Sequence, residues 1–121
     1  MNIEELREYC LSKPAVAESF PFDETTLVFK VVGKIFLLTD LVDAFSMNLK
    51  NTPERVIELK EQYPSVLPGY HMHKKYWVTV MINGTIGDEL LNQWIDESYN
   101  LIVEGFSRKE RELFAQLGKN G

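Results

Sequence analysis

Residues 25–40, TTLVFKVVGKIFLLTD, carry the strongest strand signal in the chain. β-Branched and aromatic side chains suit a pleated, half-buried surface. Two apolar runs flank the short Gly33-Lys34 break, which predicts a β-hairpin. Just downstream, AFSMNLK (44–50) alternates Phe45, Met47 and Leu49 with Ser46, Asn48 and Lys50. Period-two alternation predicts a third strand with one buried and one wet face. Upstream, AVAESFPFDE (15–24) reads as an irregular connection in which Pro21 holds Phe20 extended.

Helices flank this block. Asn2 can cap a first helix, with Glu4 and Glu5 where the helix dipole favours acids and Pro14 as its stop. Thr52-Pro53 pairs a hydroxyl cap with a proline at the first helical position, and Val56, Leu59 and Tyr63 continue one apolar face. SVLPGYHM (65–72) reads as a loop turning into a short strand, KYWVTVMI (75–82) as a strand, and Asn83-Gly84 as a turn. Asp88 is expected to cap the longest helix, about residues 88 to 105, with Leu91, Trp94, Ile95, Leu101 and Ile102 as its apolar stripe. Ser107 is expected to cap a final helix. The order is α-βββ-α-ββ-α-α. Strands in adjacent runs argue for an α+β domain spanning 1–121: two layers, a curved antiparallel sheet with helices packed on one face.

Composition narrows the function classes. The chain has 121 residues, 45% hydrophobic and 26% charged, which suits one soluble globular domain. Its single cysteine, Cys10, can form no internal disulfide, which fits a reducing compartment. The acidic, amphipathic start is unlike a signal peptide, and no apolar run approaches the ~20 residues of a membrane span. The expectation is a cytoplasmic protein with no membrane partner, a monomer or weak homodimer. A net charge of −5 is unusual for a dedicated nucleic-acid binder. The middle of the chain is the mildly basic part: residues 50–75 hold Lys50, Arg55, Lys60, Lys74 and Lys75 against Glu54, Glu58 and Glu61.

Most candidate sites have a plain structural reading. His71 and His73 on a strand would share a face about 7 Å apart at the Cα atoms, but two histidines are half a metal site and no third ligand lies close by. No metal or other cofactor is expected. Cys10 falls on the apolar face of the first helix, as a small core residue. Ser98 can bond back to the Trp94 carbonyl without any chemistry. Glu4, Glu5 and Glu8, with Asp23 and Glu24, could form an acidic ridge, though a solvated helix face explains the first three. The exception is PGYHMHKKYW (68–77), where Lys74 and Lys75 stand among Tyr70, Tyr76 and Trp77. Cations beside aromatics can contact phosphate and stack bases. The alternative is that Trp77, with Tyr70, fills the core and the lysines mark a solvated turn.

PGYHMHKKYW resembles the signature of the MmcQ/YjbR-like family of small bacterial proteins. FPFDETTLVFKVVGKIFLL, SMNLKNTPERVIELKEQYP and DESYNLIV resemble other blocks of that family, in the same order and over nearly the whole chain. The resemblance implies a frataxin-type (CyaY-like) fold and DNA binding by a double-wing arrangement, with no catalytic activity. Its matched positions are Lys50, Pro68, Gly69, Tyr70, His71, Met72, Lys74, Lys75 and Trp77. Three positions depart from the pattern: His73 stands where an asparagine is usual, Tyr76 where a histidine is common, and Val78 where an asparagine is common. The expectation is therefore a non-enzymatic binding protein. Lys50, Tyr70, His71, His73, Lys74, Lys75 and Trp77 would form a weak, salt-dependent DNA surface. A protein-interaction module and frataxin-like iron handling are the alternatives.

Overall fold

The structure is a computed structural model that describes residues 1–70 and 72–120, the last two of these by backbone alone. Helix α1 (Ile3–Leu11) is followed by β1 (Val16–Ser19), β2 (Thr26–Val31), β3 (Lys34–Asp40) and β4 (Ser46–Lys50). Then come α2 (Pro53–Gln62), β5 (Val66–Pro68), β6 (Trp77–Met81), α3 (Asp88–Glu104) and α4 (Arg108–Asn120). The six strands form one open antiparallel sheet in the order β1-β2-β3-β4-β6-β5. The α+β architecture is the expected one.

The hairpin forms as its residues predict. Val32 and Gly33, at φ 51° and 75°, make the left-handed reversal between β2 and β3. Register partners share a face of a sheet, so Phe29, Leu37, Leu49 and Val78 form one row. That row belongs to a single core with Leu6 and Cys10 of α1, Val56 and Leu59 of α2, and Leu91, Trp94, Ile95 and Tyr99 of α3. The opposite row is Val28, Leu38, Asn48 and Thr79. It is buried too, yet lies outside that core cluster.

Four details differ from the sequence reading. Residues 16–19 form a strand, not a loop, so the first run has four strands. Ala15, at φ 62°, turns the chain out of α1, and VAES then pairs with residues 28–31 of β2. Of these four only Val16 favours a strand by itself; the hydrophobic hairpin beside them supplies the pairing. The predicted wet face of β4 is buried at Asn48, which accepts a 2.9 Å hydrogen bond from the Thr79 hydroxyl. The N-cap of α3 is Gly87, not Asp88.

Ser98 does not bond back to Trp94. Its Oγ donates to the Phe36 carbonyl at 2.6 Å and accepts from the Lys50 N–H at 3.0 Å. The cause is a β-bulge: Phe29 pairs with Leu37 but Lys30 with Ile35, leaving Phe36 as the extra residue of β3. Ladder pairing between β3 and β4 runs only through Leu37–Leu49 and Leu38–Asn48, and Ser98 bridges the gap beyond it. The remaining caps follow expectation. Asn2 and Glu5 form a capping box, Thr52 accepts from Arg55 N–H, and Ser107 and Glu110 bond each other's backbone N–H.

Candidate functional site

The sheet order carries the site. Because β6 slots in beside β4, Trp77 sits opposite Lys50, and the Asn51 N–H donates to the Tyr76 carbonyl at 2.8 Å. Residues 25 positions apart in sequence thus become neighbours at one end of the sheet. Lys30 and Lys50 each follow one step after the core residues Phe29 and Leu49, so both lie on the sheet face away from the helices.

The described residues between β5 and β6 pack closely. Gly69 abuts β6 so closely that an added Cβ would lie 2.6 Å from the Trp77 Cβ and 2.7 Å from its carbonyl oxygen. The Met72 N–H donates to the Gly69 carbonyl and the Tyr76 N–H to the His73 carbonyl. His73 accepts from the Lys75 N–H at its Nδ1 (3.2 Å), and its ring centroid lies 5.3 Å from that of Tyr76. Two lysine–tyrosine pairs result. Lys74 Nζ is 6.0 Å from the Tyr70 ring centroid, and Lys75 Nζ is 5.7 Å from the Tyr76 ring centroid.

Exposure sorts these side chains. Tyr70 is 61% exposed and Tyr76 38%, and His73, Lys74 and Lys75 are exposed with them. Trp77 is 5% exposed, so its indole forms a floor and offers no stacking face. Beside Tyr76 a cleft of about 320 Å³ is lined by Lys50, Asn51, Thr52, Pro53, Tyr76 and Leu101. Of the predicted set, Lys50, Tyr70, His73, Lys74, Lys75 and Trp77 thus lie on or next to one loop-and-strand end. His71 falls outside the described residues. Sequence reasoning missed Lys30, Asn51, Thr52 and Leu101 as neighbours of this end. Only Lys30 carried a signal, its odd-polar position within TLVFKV.

Charge is divided unevenly. Among the described residues, the side-chain ion pairs involve the helices: Arg7–Glu18, Lys13–Asp96, Lys34–Glu110, Arg55 with Glu58 and Glu97, and Arg108–Glu112. Lys30, Lys50, Lys74 and Lys75 take part in none of them. Glu97, which Asn51 Nδ2 contacts at 3.2 Å behind the cleft, is also held by Arg55 Nε at 2.9 Å.

The other candidates resolve into structural roles. Cys10 is fully buried, and burial pushes its thiol up to about 12. Asp23 accepts from the N–H and hydroxyl groups of Thr25 and Thr26, led by the Thr25 N–H, which holds its carboxyl below the usual carboxylate range. Glu5 is spent on the α1 capping box. Among the described residues no three His, Cys, Asp or Glu side chains converge as metal ligands. No helix among them is long and apolar enough to cross a membrane.

The YjbR family model matches residues 11–101, which take in the hairpin, Lys50 and the whole 69–76 loop. The chain belongs to the YjbR family. Within it, the Escherichia coli protein YbdF is 36% identical over 110 residues, 90% of each chain. Escherichia coli YjbR is 30% identical over 118 residues, 97% of this chain and 100% of the relative. The crystal structure of a Deinococcus radiodurans protein of domain DUF419 superposes with a TM-score of 0.87 at 40% identity, covering 94% of this chain and 88% of that one. A Pseudomonas syringae protein superposes at 0.73 and 26% identity, covering 84% and 98%. Helix α4 lies beyond the span matched by the YjbR model, whereas the lysine–tyrosine loop lies within it.

Proposed function

We propose that this YjbR-family protein is a non-enzymatic binding protein that holds DNA weakly through the surface formed by Lys50, Tyr70, His73, Lys74 and Lys75, with Trp77 beneath it. The observation that carries this reading is the company these lysines keep. Lys74 and Lys75 each stand beside a tyrosine ring, Lys50 lines the cleft at Tyr76, and none of the three forms an ion pair among the described residues, unlike Arg7, Lys13, Lys34 and Arg55. An acidic chain gains from phosphate only where its cations are unspent, so affinity is low and falls steeply with salt. Anisotropy titration of a labelled oligonucleotide in low salt tests the assignment. Lys74→Ala with Lys75→Ala is expected to weaken binding about tenfold. Unchanged affinity would move the surface elsewhere.

A second reading, a protein-interaction module, has its own observation at the far end of the sheet. Phe20, Phe22, Leu41 and Val42 are all exposed on two loops joined by a 2.8 Å hydrogen bond from the Leu41 N–H to the Thr25 carbonyl. Asp23, Glu24 and Asp43 stand among them, and residues 18–29 and 38–48 contain no Lys, Arg or His. Exposed apolar groups rimmed by one sign of charge suit a basic partner protein. Salt-resistant capture that Phe22→Ser abolishes, with no DNA retained, would favour this reading over the first.

A further inference from the structure

Resting on the nucleic-acid reading of the cationic end, we propose that its ligand is single-stranded: one unpaired base enters the cleft beside Tyr76, a neighbouring base stacks on Tyr70, and Lys50, Lys74 and Lys75 take the phosphates between them. Tyr70 presents most of its ring to solvent, and Tyr76 forms one wall of a cleft of about 320 Å³. That volume is in the range of pockets that hold small ligands. Asn51, Thr52 and Lys50 supply polar groups at its lining, and Leu101 an apolar one.

Duplex DNA cannot use these features. Its base faces are covered by neighbouring pairs, so a protein meets only edges in the grooves and the phosphate backbone. An exposed tyrosine ring set beside a lysine is matched to a base face, which only an unstacked strand presents. The cation count points the same way. A duplex footprint draws on many phosphate contacts, whereas here Lys74 and Lys75 each stand beside one ring and Lys50 lines the cleft, three ammonium groups on an acidic chain. The acid behind the cleft, Glu97, is already engaged by Arg55 and does not oppose a phosphate at full charge.

The test titrates the full chain with a labelled dT oligonucleotide of about 12 nucleotides, a length within the usual single-strand site sizes, and with the same strand annealed to its complement. The single strand is expected to bind about tenfold more tightly at equal salt. Tyr70→Ala and Tyr76→Ala should each weaken it about fivefold to tenfold, and Tyr76→Phe should restore it, since the ring and not the hydroxyl stacks. Tyr70 is exposed enough that its removal leaves the fold intact, so its result stands even if Tyr76→Ala is unstable. Equal or tighter duplex binding, or tyrosine variants that bind like the parent, overturns the single-strand assignment while DNA binding itself stands. Binding of neither oligonucleotide overturns the nucleic-acid reading along with it.

Discussion

At Ser98 one hydroxyl closes the gap that a bulge opens between β3 and β4. It satisfies the Phe36 carbonyl and the Lys50 N–H together, fully buried. Ser98→Ala leaves two buried backbone groups unpaired, and the expected loss is about 1–3 kcal/mol of unfolding free energy. Urea unfolding followed by tryptophan fluorescence reads it; a change indistinguishable from zero would mean that water replaces the hydroxyl. Because the Lys50 N–H is one of the two groups, the variant should also weaken oligonucleotide binding beyond its stability cost. At Gly69 the constraint is space. Gly69→Ala pushes a methyl group into the Trp77 backbone, and overpacking of this kind costs about 1–3 kcal/mol. A thermal midpoint equal to the parent's would show that β5 and β6 separate freely there.

Among the described residues β1 is an edge strand, paired only with β2 and tied to α1 by Arg7 and Glu18. The Arg7 guanidinium hydrogen-bonds the Glu18 carboxylate and holds its pKa below the ordinary carboxylate value. The folded pKa is lowered, so the contribution is present above the unfolded carboxylate range and is lost as pH falls through the folded value. The pair is part-exposed, and Glu18→Gln is expected to cost under about 1 kcal/mol. Its effect is local: amide protection factors along residues 16–19 should fall on acidification in the parent and be low at every pH in Glu18→Gln. Uniform loss across all six strands would instead make β1 part of one cooperative unit with the core.

Across the entire chain, charge separates by position. Arg7, Lys13 and Arg55 are paired beside the helices, the loop-and-strand end holds unspent lysines, and the far end of the sheet holds acids among exposed apolar groups. This arrangement fixes the salt dependence of any oligonucleotide complex. Three ammonium groups at about −0.7 each predict a slope near −2 for log K against log salt concentration with a single strand. Lys50→Ala should make that slope shallower by about 0.7. A slope near zero would mean that phosphate is not what the surface recognises.

Local chemistry was enough to announce the hairpin, the third strand, the caps at Asn2, Thr52 and Ser107, and the cationic-aromatic character of residues 68–77. Each depends on period-two alternation, a backbone cap or simple adjacency, and these are properties of neighbours in the chain. β1 was invisible because VAES becomes a strand only against β2, and Asn48 read as wet because the Thr79 that satisfies it lies 31 residues away. Likewise Ser98 faced inward on a helical stripe, but its partners were set by a bulge that no helix position encodes. The gathering of Lys50 with the 74–77 segment came from strand order, since β6 pairs with β4 and leaves β5 at the edge. Side-chain type follows from the sequence, and which side chains meet follows from long-range pairing, because hydrogen-bonded register is a relation between distant segments.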